Sequence, residues 1–211
     1  MNPEIRFGLP KGRLFEPALA LLERAGIGID HDHESSRLLT FPDRSGSYSF
    51  VVLKPVDIPV YVEAGALDVG IAGSDILREQ RSDVHEPLDL RIGICRLVVA
   101  GREATGGNRG LLRVATKYPR TAEAHFHAKN AHAQIVKLDG SVEIAPLLGL
   151  SDVIVDLVES GRTLRENGLQ ILEEIAPVSG KLIVNRTSMK LRSERLRELI
   201  TQLDRVVYAN T

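Results

Sequence analysis

Residues 151–169 read SDVIVDLVESGRTLRENGL, and this stretch sets the architecture. Asp152-Val153-Ile154-Val155-Asp156 is an apolar run between two acids, short enough for a strand buried in a parallel sheet. Ser160-Gly161-Arg162-Thr163 follows as a loop of small and polar residues that opens a helix. Thr163 is placed to N-cap the next turn, and Gly161 lets the backbone approach a ligand closely. Backbone N–H groups exposed at such a junction, with a helix dipole behind them, suit a phosphate. Asp156, just upstream, is placed to accept hydrogen bonds from sugar hydroxyls. An acidic strand end before a small polar loop suits a ribose 5-phosphate. An ordinary strand-to-helix connection has the same outline, so the remainder of the chain has to decide.

Working outward, Gly149-Leu150-Ser151-Asp152-Val153-Ile154-Val155 has a near copy at Gly65-Ala66-Leu67-Asp68-Val69-Gly70-Ile71. Both follow a helix with Gly, two residues, Asp and an apolar strand, which suggests two α/β lobes of related construction. In the first half, strands are expected at 4–9 and 48–53, with a helix carrying Leu14, Ala18, Leu21, Leu22 and Ala25 on one face and stopped by Gly26. A turn at 54–59 leads into a helix through Val62, and Ser74-Asp75 caps another. Strands are also expected at 84–90 and 92–100. The second half repeats the grammar: strand 113–116, helix 120–129, strand 133–138 and a short helix 142–148. After the loop come strands near 169–175 and 181–184, then a last helix from about Arg186 with Leu191, Leu196, Leu199, Ile200 and Leu203 on one side.

This alternation means α/β. The glycine-rich segment 105–110 is the expected exit from the first lobe and Ser179-Gly180 the expected return. One lobe then comprises residues 1–104 with about 180–211, and the other about 105–179. Lys11 and Arg13, at the end of the first strand, lie where ligands collect in open α/β sheets. With Arg37 and Lys54 they are candidates for phosphate contacts, across a cleft from the loop at 159–163.

Bulk properties exclude several classes. The chain has 211 residues, 43% hydrophobic and 26% charged, enough for a sizeable core. A net charge of −1 gives no basic field for nucleic acid or an anionic membrane. No apolar run follows a basic N-terminus or reaches transmembrane length, so a cytoplasmic protein is expected. Cys95, in an apolar run, reads as a buried thiol. His125, His127 and His132 have no carboxylate or cysteine that completes a metal spacing, and no hydrolase triad or Walker lysine is present.

Four stretches in order carry a family resemblance: LPKGRLFEPALALLERAGI, PVDIPVYVEAGALDVGIAGSDIL, RVATKYP and LDGSVEIAPLLGLSDVIVDLVESGRTLRENGL. Together they resemble the catalytic subunit of ATP phosphoribosyltransferase, in the short form that lacks an added regulatory domain. The resemblance implies two lobes like those of type II periplasmic binding proteins, with the active site in the cleft between them. It implies transfer of 5-phosphoribosyl from 5-phosphoribosyl 1-pyrophosphate (PRPP) to adenine N1 of ATP, the first step of histidine biosynthesis, with release of pyrophosphate. Mg²⁺, a homodimer, and a regulatory subunit resembling histidyl-tRNA synthetase in a hetero-octamer are implied with it.

By the same resemblance, Glu159, Ser160, Gly161, Arg162 and Thr163 hold the 5-phosphate, Asp152 or Asp156 the ribose hydroxyls, and Glu143 belongs to the same PRPP set. Lys11, Arg13, Arg37 and Lys54 face pyrophosphate and the ATP phosphates, and Mg²⁺ is carried mainly by substrate phosphates. Two positions depart from the family: Lys54 replaces a frequent arginine, keeping the charge without the bidentate fork, and Ser74 replaces a frequent lysine. Two other readings share these features, a solute-binding module of the same fold and a nucleobase-salvage phosphoribosyltransferase. The latter usually carries two adjacent acids before its loop, whereas Leu157 follows Asp156 here.

Overall fold

The computed structural model describes residues 4–28, 40–102 and 111–209. Arg37 and the 105–110 segment lie outside the described residues. The chain divides into two compact units, Met1–Gly93 with Ser179–Thr211, and Ile94–Val178.

The first unit is built on a six-stranded sheet. Its strands are β1 (Ile5–Pro10), β2 (Thr40–Pro42), β3 (Tyr48–Leu53), β4 (Val69–Gly73), β5 (His85–Asp89) and β11 (Gly180–Val184), in the order β2-β3-β1-β4-β11-β5. β1 runs parallel to β3 and β4, and β11 lies antiparallel to β4 and β5. Apolar residues cover both faces. Ile5, Phe7 and Leu9 point into one core with Leu21 and Leu22 of α1 (Phe15–Arg24) and Leu196, Leu199 and Leu203 of α7 (Ser193–Tyr208). The other core holds Ile58 and Val62 of α2 (Ile58–Glu63) and Leu77 of α3 (Ser74–Gln80). Gly8 and Gly70 pair in register, and a Cβ on either would come within 2.7 Å of a side chain, Leu67 or Ile58. Glycine at both positions is what lets α2 lie directly on the strands.

The second unit holds β6 (Cys95–Gly101), β7 (Leu112–Thr116), β8 (Ala133–Lys137), β9 (Val153–Val158) and β10 (Gln170–Val178) in the order β10-β6-β9-β7-β8. β7 is parallel to β8 and β9, while β6 is antiparallel to β9 and β10. Apart from β2, which has no counterpart, the pairing scheme matches that of the first unit, with β9 standing for β4, β7 for β1, β8 for β3, β6 for β11 and β10 for β5. α4 (Pro119–Ala128) covers one face through Ala122 and Phe126, and a short turn at Val142–Ile144 with α5 (Arg162–Glu166) covers the other.

Two expectations need correction. The chain leaves the first unit at Gly93, before β6, because β6 pairs along its length with β9. The expected exit at 105–110 assigned that strand to the wrong sheet. The last helix is two helices: α6 (Arg186–Leu191) is capped by the Asn185 side chain, which accepts the N–H groups of Thr187 and Ser188. The helix breaks at Arg192, which leaves Leu191 79% exposed. Cys95 is a buried free thiol in the core of the second unit, as expected.

Candidate active site

β9 delivers the loop. Its alternation sends Val153 and Val155 into one core and Ile154 and Val158 into the other, so Asp156 lies on the same face as Ile154 and Val158. At the carboxyl end the chain turns through Glu159 and Ser160 to Gly161, which has φ +72° and occupies the N-cap of α5. A β-carbon there would sit 3.3 Å from Arg165 Nη1 and in a left-handed conformation, which explains the glycine. The helix starts at Arg162, two residues earlier than an N-cap at Thr163 would give, and Thr163 makes no side-chain cap. Ser160 takes that part weakly, its Oγ accepting the Arg162 N–H at 3.4 Å. Arg165 Nη1 donates to Ser160 O at 3.1 Å, and Arg162 Nε donates to Glu166 Oε1 at 2.7 Å.

The loop frames a cavity of about 210 Å³ lined by Glu143, Asp156 and the chain from Leu157 to Leu164. Complete small-molecule sites usually run to roughly 300–1,000 Å³, so this volume suits one polar part of a ligand. Glu143, Asp156, Glu159, Ser160, Gly161, Arg162 and Thr163 all come together here, as the sequence suggested.

Asp156 is 8% exposed. Its Oδ1 accepts the Leu157 N–H at 2.8 Å and lies 3.3 Å from Lys117 Nζ. Burial pushes its carboxyl above the usual carboxylate range, more than Lys117 and the Leu157 N–H pull it down, and nearby Glu143 adds to the rise. A buried acid so tuned, facing a polar cavity, is a candidate functional group. The sequence alone does not single out Lys117, because the Tyr118-Pro119 that follows it reads as a break. The rule that singled out Lys11, a cation just past a parallel strand, selects it equally well.

Asp152 does not belong to this cavity. It precedes β9 at the amino end, roughly 20 Å from Glu159 at about 3.3 Å per residue. There Arg113 engages it as a fork, Nη2 to Oδ1 at 2.7 Å and Nε to Oδ2 at 3.3 Å, while the Arg113 N–H donates to Oδ2 at 2.8 Å. These hydrogen bonds hold its carboxyl below the ordinary range. Of the two candidates for sugar hydroxyls, Asp156 is the one at the loop.

Of the expected cations, Lys11, Arg13 and Lys54 lie in the first unit. The Lys11 N–H donates to Leu53 O at 2.8 Å, which brings the chain at Lys11 beside that at Lys54, past the ends of neighbouring parallel strands. Both residues are exposed. Arg13 sits in the turn Gly12–Leu14, its guanidinium carbon 3.9 Å from where a β-carbon of Gly93 would be. Ser74 is drawn into the sheet instead: its N–H donates to Ser179 O at 2.9 Å, and its Oγ accepts the Ser179 N–H at 3.2 Å.

The family model described as ATP phosphoribosyltransferase matches residues 54–205. The ATP phosphoribosyltransferase of Caldanaerobacter subterraneus subsp. tengcongensis is 49% identical over 207 residues, 96% of this chain and 97% of that one. The chain belongs to the ATP phosphoribosyltransferase family. Its relative of the same name from Sorangium cellulosum is 50% identical over 203 residues, covering 96% of each chain. Among solved structures, the ATP phosphoribosyl transferase (HisG:HisZ) complex from Thermotoga maritima aligns with a TM-score of 0.85 at 32% identity, over 98% of this chain and 100% of that one. The periplasmic aliphatic sulphonate binding protein SsuA from Escherichia coli aligns with a TM-score of 0.60 over 98% of this chain and 73% of that one, at 12% identity. That likeness shows the fold: this member of the ATP phosphoribosyltransferase family has two α/β lobes of the type II periplasmic-binding kind. No helix among the described residues is long and apolar enough to cross a membrane.

Proposed function

We propose that this enzyme transfers the 5-phosphoribosyl group of PRPP to N1 of ATP, releasing pyrophosphate, as the first step of histidine biosynthesis. The observation that carries the reading is the cavity of the 159–164 loop with buried Asp156 at its edge, in a chain of this family. The loop suits a 5-phosphate through the N–H groups of the first turn of α5, of which only that of Arg162 has, among the described residues, a weak side-chain acceptor, and through Ser160 and Thr163. Asp156 and Glu143 are positioned for ribose hydroxyls.

Displacement of pyrophosphate from C1 of the ribose builds positive charge on the sugar and negative charge on the leaving group. The chain has to align the two substrates and meet the departing charge with fixed cations. Lys11, Arg13, Arg37 and Lys54 take the second role in this reading. Adenine N1 already carries a lone pair, so no strong general base is needed. Mg²⁺ would neutralise the pyrophosphate as it leaves. In this reading the ion is carried mainly by the substrate phosphates; among the described residues no cluster of acids, histidines or cysteines could hold it alone. The Thermotoga maritima HisG:HisZ complex supports a second, partner subunit; the family resemblance makes that partner regulatory and similar to histidyl-tRNA synthetase, in a hetero-octamer around catalytic dimers.

The test is to mix the chain with ATP, PRPP and Mg²⁺ and follow pyrophosphate together with the ultraviolet change of an N1-substituted adenine. Both signals are expected, rising when the partner is added. Pyrophosphate without the adenine change would mean another acceptor, and neither signal with the partner present would sink the reading. Arg13→Ala should lower kcat about a hundredfold, the loss typical of removing one charge-stabilising donor.

A further inference from the structure

Lys117 stands at the strand end beside the loop, held by an unusually fixed backbone. Thr116, before it, is fully buried; its hydroxyl donates to Val155 O at 2.7 Å and accepts the Tyr118 N–H at 2.9 Å. The chain on either side of Lys117 is thus tied to β9 at the residue next to Asp156. The ammonium lies 3.3 Å from Asp156 Oδ1 and 5.6 Å from the centre of the Tyr118 ring. Both protein contacts of Asp156, from Lys117 and from the Leu157 N–H, fall on Oδ1. Oδ2 has no protein partner among the described residues.

The charged surroundings of Asp156 are few. Lys117 faces it from the end of β7 and Glu143 from the turn at 142–144. β6 presents Val98 opposite it. From the loop, Glu159 and Arg162 line the same cavity, with Arg162 turned to Glu166.

We propose that Lys117 is the positioning residue of this pocket: it clamps one oxygen of Asp156 so that the other is offered to the hydroxyls of a sugar phosphate. The inference rests on reading the pocket as the phosphoribosyl subsite. The clamp has a second consequence. A cation beside a buried acid favours its ionised form, so removing Lys117 leaves burial and Glu143 opposed only by the Leu157 N–H. Asp156 would then take up its proton at higher pH, and the acid limb of PRPP use would move upward.

The experiment compares Lys117→Met, Lys117→Arg and Asp156→Asn with the natural chain, measuring PRPP and ATP affinity by calorimetry and the pH profile of kcat/KM for PRPP. Loss of a charge-assisted contact predicts PRPP binding about tenfold weaker in Lys117→Met, with ATP affinity retained. The acid limb should rise by about one pH unit, and Lys117→Arg should restore both. If Asp156→Asn weakens PRPP binding while Lys117→Met leaves affinity and acid limb unchanged, the positioning role is refuted and the pocket stands. Weaker binding in Lys117→Met without movement of the limb or rescue by arginine would mean a merely structural lysine, which also refutes it. If Asp156→Asn itself binds PRPP normally, the pocket assignment fails.

Discussion

The two units close the amino end of their central strand with the same device and finish its carboxyl end in opposite ways. In the first, the Arg6 N–H donates to Asp68 Oδ2 at 2.9 Å, Arg6 Nη2 to Gly65 O at 2.9 Å, and the Asp68 N–H to Arg6 O at 3.0 Å. In the second, Arg113, Asp152 and Gly149 repeat every one of these contacts at 2.7–2.9 Å. Gly65 and Gly149 even share their backbone, φ +73° and +72°. The glycine turn bends the chain back, and the acid ties the two parallel strands at their start. Beyond the strand the likeness ends. β4 runs into Ser74, whose N–H and hydroxyl are taken by Ser179, whereas β9 runs into Gly161 and an open cavity. The repeated part is scaffold, and the proposed ligand site lies where the copies diverge.

The sharpest way to break this comparison is to alter one loop and not its counterpart. Gly161→Val puts a β-branched side chain into a left-handed backbone and against Arg165. We expect PRPP binding to weaken about a hundredfold, the sum of that strain and the lost backbone approach. Ser74→Ala removes a bond that belongs to the sheet, and PRPP affinity should stay as it was. Calorimetric titration of both variants decides it: equal losses would mean that the two loops are not functionally distinct.

A smaller effect separates the two clasps. Asp68 is 1% exposed and also accepts Ser188 Oγ at 2.7 Å and Arg192 Nη1 at 3.0 Å. Asp68→Asn breaks a buried charge network and should cost about 3 kcal/mol of stability, read as a lower urea midpoint. Asp152→Asn should cost clearly less, because its arginine partner faces water. Neither change should touch PRPP affinity directly. A selective loss of PRPP binding in Asp152→Asn would restore it as a ligand of the ribose.

These contrasts also show what the sequence could reveal. The helical and alternating periods marked nearly every element, and the repeated Gly-x-x-Asp signature announced the duplication before any coordinates. Loop residues 159–163 were legible because small and polar residues, with a glycine, are what a tight turn from a strand into a helix requires. Asp152 was ambiguous because acids at the two ends of one strand look alike as letters. Only strand direction separates them, since ligands gather at carboxyl ends. The placement of β6 was illegible for another reason: its partner β9 lies some fifty residues away, and no local pattern encodes that register. Leu191 followed the apolar rhythm, yet the helix stops at Arg192, whose guanidinium reaches Asp68 and Glu4 O. A tertiary bond overrode the local period.

The smallest effect expected is one of sign, and it contrasts the two acids that bracket β9. The Asp152 carboxyl is lowered by Arg113, so it contributes stability above its unfolded value, about 3.9, and loses that contribution as pH falls through its lower folded value. The Asp156 carboxyl is raised, chiefly by burial, so the folded chain binds its proton more tightly than the unfolded chain does. Its ionisation therefore weakens the fold progressively as pH climbs from about 3.9 through the raised folded value. Asp156→Asn removes that penalty. The variant should be slightly more stable than the natural chain at neutral pH, equal to it in acid, and poor at binding PRPP. Asp152→Asn should be less stable at neutral pH and converge on the natural chain in acid. Urea midpoints measured across the acid range check both curves. A stabilised but inactive Asp156→Asn is what a site maintained at the expense of the fold requires. A destabilised one would mean that Asp156 serves structure, and the contrast between the strand's two ends would collapse.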